Sequence, residues 1–298
     1  PDGDVNVVSH AHGDHLGSSS AAPVVASPLT AAVAAARRGG GPPPLVDHEA
    51  VELLDSGHVA GSRAALVDDG ETRVLYTGDV STRDRPFLSG FEPVPADVLV
   101  VESTYGRPEY VFPDQGTVET AVLEFLDETA DRPAVVFGYA FGRAQTAQLL
   151  ARRADRDGAL YVTDAVADVN EAIEAHLDVC FCAERWDEGD GLDPGDVLVR
   201  PGSPRSEAVT RLVESTGAVT VGLSGWAADD SFRYARGFDA AFPLSDHYDY
   251  EELLGLVEAV DPAVVYTTRL AEAFASTLAT RGYEAYALRR NQATLADF

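Results

Sequence analysis

Short apolar runs separated by glycine, proline and charged residues predict β-strands in the first third of the chain. Residues 64–67 and 73–76 flank a short polar segment and predict a β-hairpin. Residues 97–101 form a continuous apolar run that ends at Glu102, which indicates a buried strand with a carboxylate at its end. An alanine-rich stretch within residues 24–36 predicts a helix. This part of the chain therefore predicts a sheet with polar groups at its strand ends.

From about residue 107 the pattern changes to an alternation of strands and helices. Strands are predicted at 134–137, 159–162, 178–182, 196–199 and 219–223. Helices are predicted between them at 142–153, 166–176 and 203–215. This alternation is typical of βαβ units and favours a parallel sheet. A second alternation follows, with helices at 250–260 and 270–281 and strands at 263–267 and 285–288.

Cys180 and Cys182 are the only cysteines, and they flank Phe181 in the predicted strand 178–182. A disulfide between residues two positions apart is strained, and two cysteines alone make a poor zinc site. We therefore interpret both as buried, small apolar side chains.

The composition is strongly acidic, with a formal net charge of −27. There is no lysine, and all 22 basic residues are arginine. We expect this composition to be an adaptation to a halophilic cytosol, where salt shortens the Debye length to ~3 Å or less and makes self-repulsion tolerable. On that interpretation the acidity does not exclude a nucleic-acid partner. The sequence shows no signal peptide and no apolar run near ~18 residues, which predicts a cytoplasmic protein without a membrane partner.

Metal-ligand side chains are concentrated in residues 7–15, where three histidines and an aspartate follow a short apolar run. Neutral imidazole and carboxylate are the ligands that zinc, iron and manganese prefer. Alternate side chains of a strand share a face, so His10 and His12 are placed to bind one metal. Asp14 and His15 lie in the following turn and are placed to reach a second. Because this motif lies so close to the first residue, we expect N-terminal strands of the natural gene product to be missing from this sequence.

Further residues of the same types lie at predicted turns and strand ends. His58 has glycine on both sides within a short loop, which allows a close backbone approach. Asp79 follows a predicted strand and a glycine, and Glu102 ends another strand. With His247, these residues suffice for a hydrolytic site with two metals about 3.5–4 Å apart, in which Asp79 is the natural bridge. Such a pair activates a shared water and clamps the oxygens of a phosphodiester.

The order and spacing of these motifs resemble the β-CASP branch of the metallo-β-lactamase superfamily, over nearly the whole chain. The motifs that carry this resemblance are residues 10–15, 57–62, 76–79, 102–106 and 245–247. The resemblance implies the α/β class, with an αββα metallo-β-lactamase sandwich formed by residues 1–106 and 238–298. Residues 107–237 are then an inserted βαβ (β-CASP-like) cap domain.

Two further motifs, residues 139–145 and 223–226, are similar to short ligase-associated DNA exonucleases. Similar archaeal sequences are often described as mRNA 3′-end processing factors. The resemblance implies zinc as the cofactor, in two sites, with manganese as an alternative. One metal would be bound by His10, His12, His58 and Asp79, and the second by Asp14, His15 and Asp79. Asp14, Glu102 and His247 would be catalytic, the last two as a proton relay near the leaving group.

Thr268 departs from the family pattern, because a histidine that completes the second metal site usually follows the strand predicted at 263–267. A threonine hydroxyl is a much poorer zinc ligand than imidazole. We therefore expect the second site to be weak or empty. DNA-processing members can also lack this histidine, which favours DNA slightly over RNA.

These observations predict a metal-dependent nuclease that hydrolyses phosphodiester bonds of nucleic acid, with a DNA exonuclease favoured. Three alternatives stay open: an RNA-processing ribonuclease of the same branch, a hydrolase of small esters, lactams or thioesters, and a catalytically weakened nucleic-acid-binding protein. The large inserted region argues against the small-molecule hydrolase, and Thr268 favours the weakened protein. Partners in DNA repair or RNA processing are expected. Candidate phosphate contacts are Arg107, Arg143, Arg233, Arg236 and Arg269, with Thr268 beside them.

Overall fold

The computed structural model describes residues 5–16, 22–187 and 189–288. Its strands are β1 (Asn6–Val7), β2 (Val24–Val25), β3 (Val51–Asp55), β4 (Arg63–Asp68), β5 (Arg73–Tyr76), β6 (Val98–Glu102), β7 (Ala134–Phe137), β8 (Leu160–Val162), β9 (Glu184–Arg185), β10 (Val197–Arg200), β11 (Val219–Leu223), β12 (Ala240–Phe242), β13 (Val264–Thr268) and β14 (Glu284–Ala287). Its helices are α1 (Pro28–Arg38), α2 (Gln115–Glu128), α3 (Arg143–Ala151), α4 (Asp164–Glu174), α5 (Glu207–Thr216), α6 (Ser231–Arg236), α7 (Tyr250–Val260) and α8 (Ala271–Thr280), with a 3-10 turn at Gly225–Ala228.

One six-stranded sheet is mixed and has the order β14-β13-β6-β5-β4-β3. The pairs β3–β4 and β4–β5 are antiparallel, and the remaining pairs are parallel. Helices α7 and α8 supply apolar side chains such as Leu253 and Phe274 to its core, where they cluster with Leu75, Leu99 and Val265. The register pairs Thr268 of β13 with Glu102 of β6. Strand β13 thereby ends beside the predicted catalytic carboxylate of Glu102, at the end of β6.

The other six-stranded sheet is entirely parallel and has the order β12-β11-β7-β10-β8-β9. All four residues of its central strand β7 are buried. Helices α2 and α3 contribute to one apolar cluster with this sheet, while α5 contributes to another. Coverage of both faces explains why these strands appear in the sequence as uninterrupted apolar runs.

A fourth apolar cluster connects the N-terminal region to a helix of the parallel sheet. Leu29 and Val33 of α1 cluster with Val169 and Ile173 of α4, and the histidine motif lies beside them through Ala11. The metal-ligand motif is therefore fixed between the two sheets rather than at the rim of one.

The mixed α/β class and the alternation of strands and helices are confirmed. The predicted hairpin is β4–β5, and the sequence-based strands and helices after residue 134 match observed elements within a few residues, with one exception below. The outer ends of the predicted core, residues 1–4 and 289–298, lie outside the described residues. In the part of the chain that is described, each helix is too short or too polar to cross a lipid bilayer.

The predicted strand at residues 178–182 and the burial of its cysteines are wrong. Cys180 and Cys182 are exposed and joined to each other by a disulfide bond. Phe181 between them is buried, and its ring lies 5.6 Å from that of Phe87. The two cysteines on either side of Phe181 face solvent, and the edge of the sheet is formed by the short strand β9 instead.

Candidate metal centre

The histidine motif begins where strand β1 ends and closes in a tight turn. The strand extends only to Val7, so the motif continues as extended chain rather than as the longer strand expected. His10 is completely buried. The N–H of His15 donates to the carbonyl of His12 at 3.0 Å and closes the turn. This path directs the motif's side chains toward the loops that follow β3 and β5.

The loop that carries His58 is held against the loop that follows Asp79. Gly57 adopts a φ of 67°, and a Cβ atom there would lie 2.2 Å from the backbone oxygen of Ser81. The N–H of Ser81 donates to the carbonyl of Ser56 at 3.0 Å. Because no side chain fits between the two loops, glycine at position 57 is what allows His58 and Asp79 to meet.

Four side chains converge there: His10, His12, His58 and Asp79. Their donor atoms all lie within 4.8 Å of one another. His58 Nε2 is 3.2 Å from His12 Nδ1, and Asp79 Oδ2 is 3.6 Å from His10 Nε2 and 3.8 Å from His58 Nε2. Tetrahedral zinc with bonds of about 2.0–2.1 Å holds its ligand atoms about 3.3 Å apart. The cluster therefore has the dimensions of a four-ligand metal site.

The second nitrogen of each imidazole is already engaged, which orients the first toward the cluster. His12 Nε2 lies 3.0 Å from the carbonyl of Phe141, and His58 Nδ1 lies 2.8 Å from the carbonyl of Asp246. His10 Nδ1 lies 3.1 Å from the hydroxyl of Ser9. The remaining nitrogen of His10 is buried and has no hydrogen-bond partner among the described residues. An orphaned buried nitrogen aimed at three other ligand-type atoms fits a metal ion.

The protonation states of these four side chains near neutral pH favour metal binding. Burial lowers the pKa of His12 to about 4 and the pKa values of His10 and His58 well below the usual range. Burial alone would raise the pKa of Asp79, but the imidazoles of His15, His247 and His58 beside it hold that pKa well below its usual range. Near neutral pH the cluster therefore presents neutral imidazoles and an ionised carboxylate, which is the form that binds zinc or manganese.

A buried ion pair supports the His58 loop from behind. Arg85 Nη1 donates to Asp246 Oδ1 at 2.6 Å, and its other terminal nitrogen donates to the carbonyls of Gly57 and His58. Asp246 in turn accepts from His58 through its backbone carbonyl. Sequence reasoning missed Arg85, and no signal marks it, because its role arises only from this long-range contact.

Glu102 and His247 form a hydrogen-bonded pair at the edge of the cluster. His247 Nδ1 lies 2.9 Å from Glu102 Oε1, while Glu102 Oε2 accepts from the N–H of Thr104 at 2.7 Å. The His247 ring lies 4.5 Å from that of His58. Burial lowers the pKa of His247, but the carboxylates of Glu102, Asp79 and Asp246 together raise it above the ordinary value. The pair can hold a proton on His247 next to the cluster.

The residues expected to bind a second metal surround an arginine. Arg269 Nη2 donates to Asp14 Oδ2 and to His15 Nε2, the latter at 2.8 Å, and lies 3.6 Å from Asp79 Oδ2. His15 Nε2 is also 3.2 Å from Asp79 Oδ1. The hydroxyl of Thr268 lies 3.5 Å from the carbonyl of Val101, and Thr268 lines a neighbouring cavity together with Asp14 and His15. The side chain that follows β13 into the centre is therefore that of Arg269.

The cluster opens into a central cavity of about 680 Å³. Its lining includes His12, His58, Asp79, His247, Tyr139, Arg143, Trp226 and Arg269. Arg143 is buried, with its guanidinium 4.5 Å above the ring of Tyr139, which is itself 63% exposed. The cavity therefore combines cations and aromatic faces beside the ligand cluster, the two features by which proteins hold nucleic-acid backbone and bases.

The remaining arginines of the predicted set lie further out. Arg107 is exposed, lies 3.8 Å from Glu109, and lines a neighbouring cavity together with Thr268 and Arg269. Arg233 and Arg236 are exposed on α6, and neither lines the central cavity. Of the five arginines, Arg143 and Arg269 are thus the two that reach the centre.

The chain is similar in sequence to several known proteins. The chain is 34% identical over 294 residues to a probable DNA ligase of Opitutus terrae, covering 94% of this chain and 28% of that protein. It is 32% identical over 110 residues to an RNase J-like protein of Methanocaldococcus jannaschii, covering 36% of this chain and 26% of that protein. The chain thus spans less than a third of the length of either relative. No family model matches it.

A solved structure shares the fold. The crystal structure of a protein of unknown function from Enterococcus faecalis V583 covers 97% of this chain and 79% of its own, with a TM-score of 0.62 and 12% sequence identity. The architecture and the buried cluster together define an α/β protein able to hold a metal ion between its sheets. The chain belongs to the β-CASP branch of the metallo-β-lactamase superfamily.

Proposed function

We propose that this chain is a metal-dependent nuclease that hydrolyses phosphodiester bonds of nucleic acid, with single-stranded DNA as the favoured substrate. The observation that carries the proposal is the buried cluster of His10, His12, His58 and Asp79 at one side of the central cavity. Relatives named RNase J-like protein and cleavage and polyadenylation specificity factor subunit 3 support a nuclease.

The preference for DNA rests on the extent of the similarity. The relative named probable DNA ligase matches 94% of the chain, whereas the RNase J-like protein matches 36%. The ligase relative is also much longer than the matched region. We therefore propose a role beside a DNA ligase in repair, with RNA processing as the second candidate. Threonine at position 268 and arginine at position 269 support the weaker alternative, a nucleic-acid-binding protein with reduced catalysis.

The domain division belongs to the same proposal. The parallel sheet takes its strands from one continuous stretch, 134–242, between the two halves of the mixed sheet. This supports an inserted cap on a metallo-β-lactamase sandwich. We place the second boundary after Phe242 rather than at residue 238, because β12 pairs with β11 of the parallel sheet.

In the proposed mechanism the metal would be held by His10, His12, His58 and Asp79, and it would supply Lewis-acid polarisation of a phosphoryl oxygen. Arg143 and Arg269 bind the phosphate, since guanidinium groups match its geometry. His247 holds a proton through its pairing with Glu102 and donates it from the ring to the departing sugar oxygen. General acid catalysis of this kind contributes about 10²–10⁴-fold.

The test is a cleavage assay on end-labelled single-stranded DNA, duplex DNA and RNA in high salt with zinc or manganese. We expect metal-dependent shortening of single-stranded DNA, and its loss in His12→Ala. His176→Ala is the matched control, because His176 is exposed just after helix α4 and its ring lies 2.9 Å from the carbonyl of Ala172 in that helix, away from the cluster. Cleavage of RNA but not DNA would favour the second candidate. Binding of DNA without cleavage would favour the catalytically weakened protein.

A further inference from the structure

The three side chains expected to hold a second metal share the guanidinium of Arg269 instead. Its Nη2 lies 2.8 Å from His15 Nε2 and 3.6 Å from Asp79 Oδ2, and it forms an ion pair with Asp14. The same nitrogen therefore approaches all three predicted ligands. A metal ion there would require bonds of about 2.0–2.2 Å to these same atoms. Metal and guanidinium cannot occupy this position together.

The backbone directs Arg269 into the centre. It adopts a φ of 67°, a left-handed conformation uncommon outside glycine. The preceding residue is fixed, because the carbonyl of Thr268 accepts two hydrogen bonds from Ser103. One comes from the backbone N–H of Ser103 at 3.0 Å and the other from the Ser103 hydroxyl at 2.7 Å. The N–H of Ala271 donates to the carbonyl of Arg269 at 2.5 Å. The turn that aims this side chain is thus anchored on both sides.

Charge acts in the same direction as geometry. Asp14 and Asp79 are two carboxylates that approach one point, which in a two-metal centre is neutralised by the second ion. A guanidinium keeps its charge at every pH at which the protein is folded, and its fork of donors suits oxygen and imidazole acceptors. A divalent cation would have to displace this fixed charge before it could bind.

We propose that the Arg269 guanidinium is the second cation of this centre, so that the chain holds one metal ion, at His10, His12, His58 and Asp79, and Arg269 excludes another. Arg269 lines both the central cavity and the neighbouring one, with its side chain 34% exposed. It is therefore open to an anionic substrate from the side that a second metal would have used. This inference rests on the proposed metal site but not on nuclease activity.

The test is the number of zinc ions bound, measured by elemental analysis after dialysis and by calorimetric titration of metal-free protein. Wild type is expected to bind one zinc per chain with high affinity. Arg269→His, and the neutral variant Arg269→Gln, should each gain a second binding event. Arg107→Ala is the matched control, because Arg107 lines the neighbouring cavity without an ion pair to the predicted ligands, and it should stay at one.

Asp14→Ala, made alone and together with Arg269→His, locates the new ion. The single variant should still bind the one ion of the wild-type protein, and the double variant should lose the second binding event that Arg269→His shows. Melting curves establish that each variant is folded. The number of zinc ions bound by the wild-type protein tests the proposal without any variant. Two tightly bound ions in the wild-type protein, or a single ion in both Arg269 variants, would overturn the proposed role of Arg269 but not the first metal site. No bound ion in wild type would overturn the proposed metal site together with it.

Discussion

At the scale of single residues, the centre depends on Arg85, which does not line the central cavity. The guanidinium of Arg85 is buried between Asp246 and two carbonyls of the His58 loop, and Asp246 accepts the hydrogen bond that orients His58. A buried ion pair contributes little net stability, but loss of one member leaves an uncompensated charge. Positioning of His58 and stability of the fold are therefore coupled through Arg85.

We expect Arg85→Met to lower the free energy of unfolding by about 3–5 kcal/mol and to weaken zinc binding. Urea denaturation and zinc titration measure the two effects. Arg185→Met is the contrasting variant, because Arg185 pairs with three carboxylates on the surface. Exposed pairs contribute up to about 1 kcal/mol. Equal losses in the two variants would contradict a special role for Arg85.

A second prediction at this scale concerns the proton on His247. This residue must be protonated to act as a donor, so the rate should fall as pH rises through its pKa. Burial lowers that pKa, but the carboxylates around the ring, Glu102 first among them, together raise it above the ordinary value. We expect Glu102→Gln to shift the basic limb of the pH–rate profile to lower pH, with rate losses of up to about 10²–10⁴-fold above neutrality. Zinc content should not change. A basic limb that does not move would contradict the relay.

At the scale of elements, close loop packing places the ligands. Gly57 allows the loop after β3 to meet the loop after β5, since a Cβ atom would lie 2.2 Å from the carbonyl oxygen of Ser81. The left-handed φ of 67° adds a second penalty for any other residue. Ligand geometry is therefore built into loop backbones and not only into side chains.

We expect Gly57→Ala to destabilise the protein by about 1–3 kcal/mol and to lower zinc affinity, because His58 must move. Gly255→Ala is the control, since Gly255 is exposed on α7 and a Cβ atom there meets nothing within 4 Å. In a helix interior this change should stabilise by roughly 0.5–1 kcal/mol. Melting curves and zinc titrations of both variants make the comparison. Unchanged zinc affinity in Gly57→Ala would contradict the packing argument.

Uninterrupted apolar strands were predictable, whereas a polar edge strand and one helix were missed. Strands β7, β10 and β11 are uninterrupted apolar runs because the parallel sheet is covered on both faces. Strand β3 was missed, since it pairs with one neighbour and carries charged residues at Glu52 and Asp55. Helix α2 was also missed, although Val118, Val122 and Leu126 recur at helical spacing and Asp114 caps it.

The metal-ligand residues of the candidate centre were predictable where they lie in short sequence motifs. His10 and His12 are neighbours in sequence, and His58 and Asp79 follow glycines that mark close turns. The contact of Arg269 with Asp14 joins residues separated by 255 positions. It arises from the pairing of β13 with β6 and from the turn that follows, neither of which has a signature in the sequence.

At the scale of the whole molecule, the net charge of −27 dominates. Repulsion among surface carboxylates opposes the compact state, and salt screens it. We propose that the chain is adapted to high ionic strength. The centre then gathers the few positive charges that an anionic substrate needs within an otherwise acidic surface.

We expect the melting temperature to rise as KCl increases from about 0.1 M to about 1 M, because the Debye length falls from about 10 Å to about 3 Å. Each kcal/mol of relieved repulsion should raise it by roughly 2 °C in a chain of this size. A parallel series in NaCl separates screening from binding of a particular ion. A melting temperature that is constant or falls with salt would contradict the adaptation.

The central claim is that the buried cluster performs metal-dependent cleavage of nucleic acid, and the cleavage of end-labelled single-stranded DNA by Asp79→Asn tests it most directly. Asp79 lies within ligand distance of three histidines, whereas Asp157 is exposed in the loop before β8, so Asp157→Asn is the control. We expect Asp79→Asn to lose cleavage and zinc while its circular dichroism stays that of wild type, and we expect Asp157→Asn to keep both. Cleavage at the wild-type rate by folded Asp79→Asn would contradict the account.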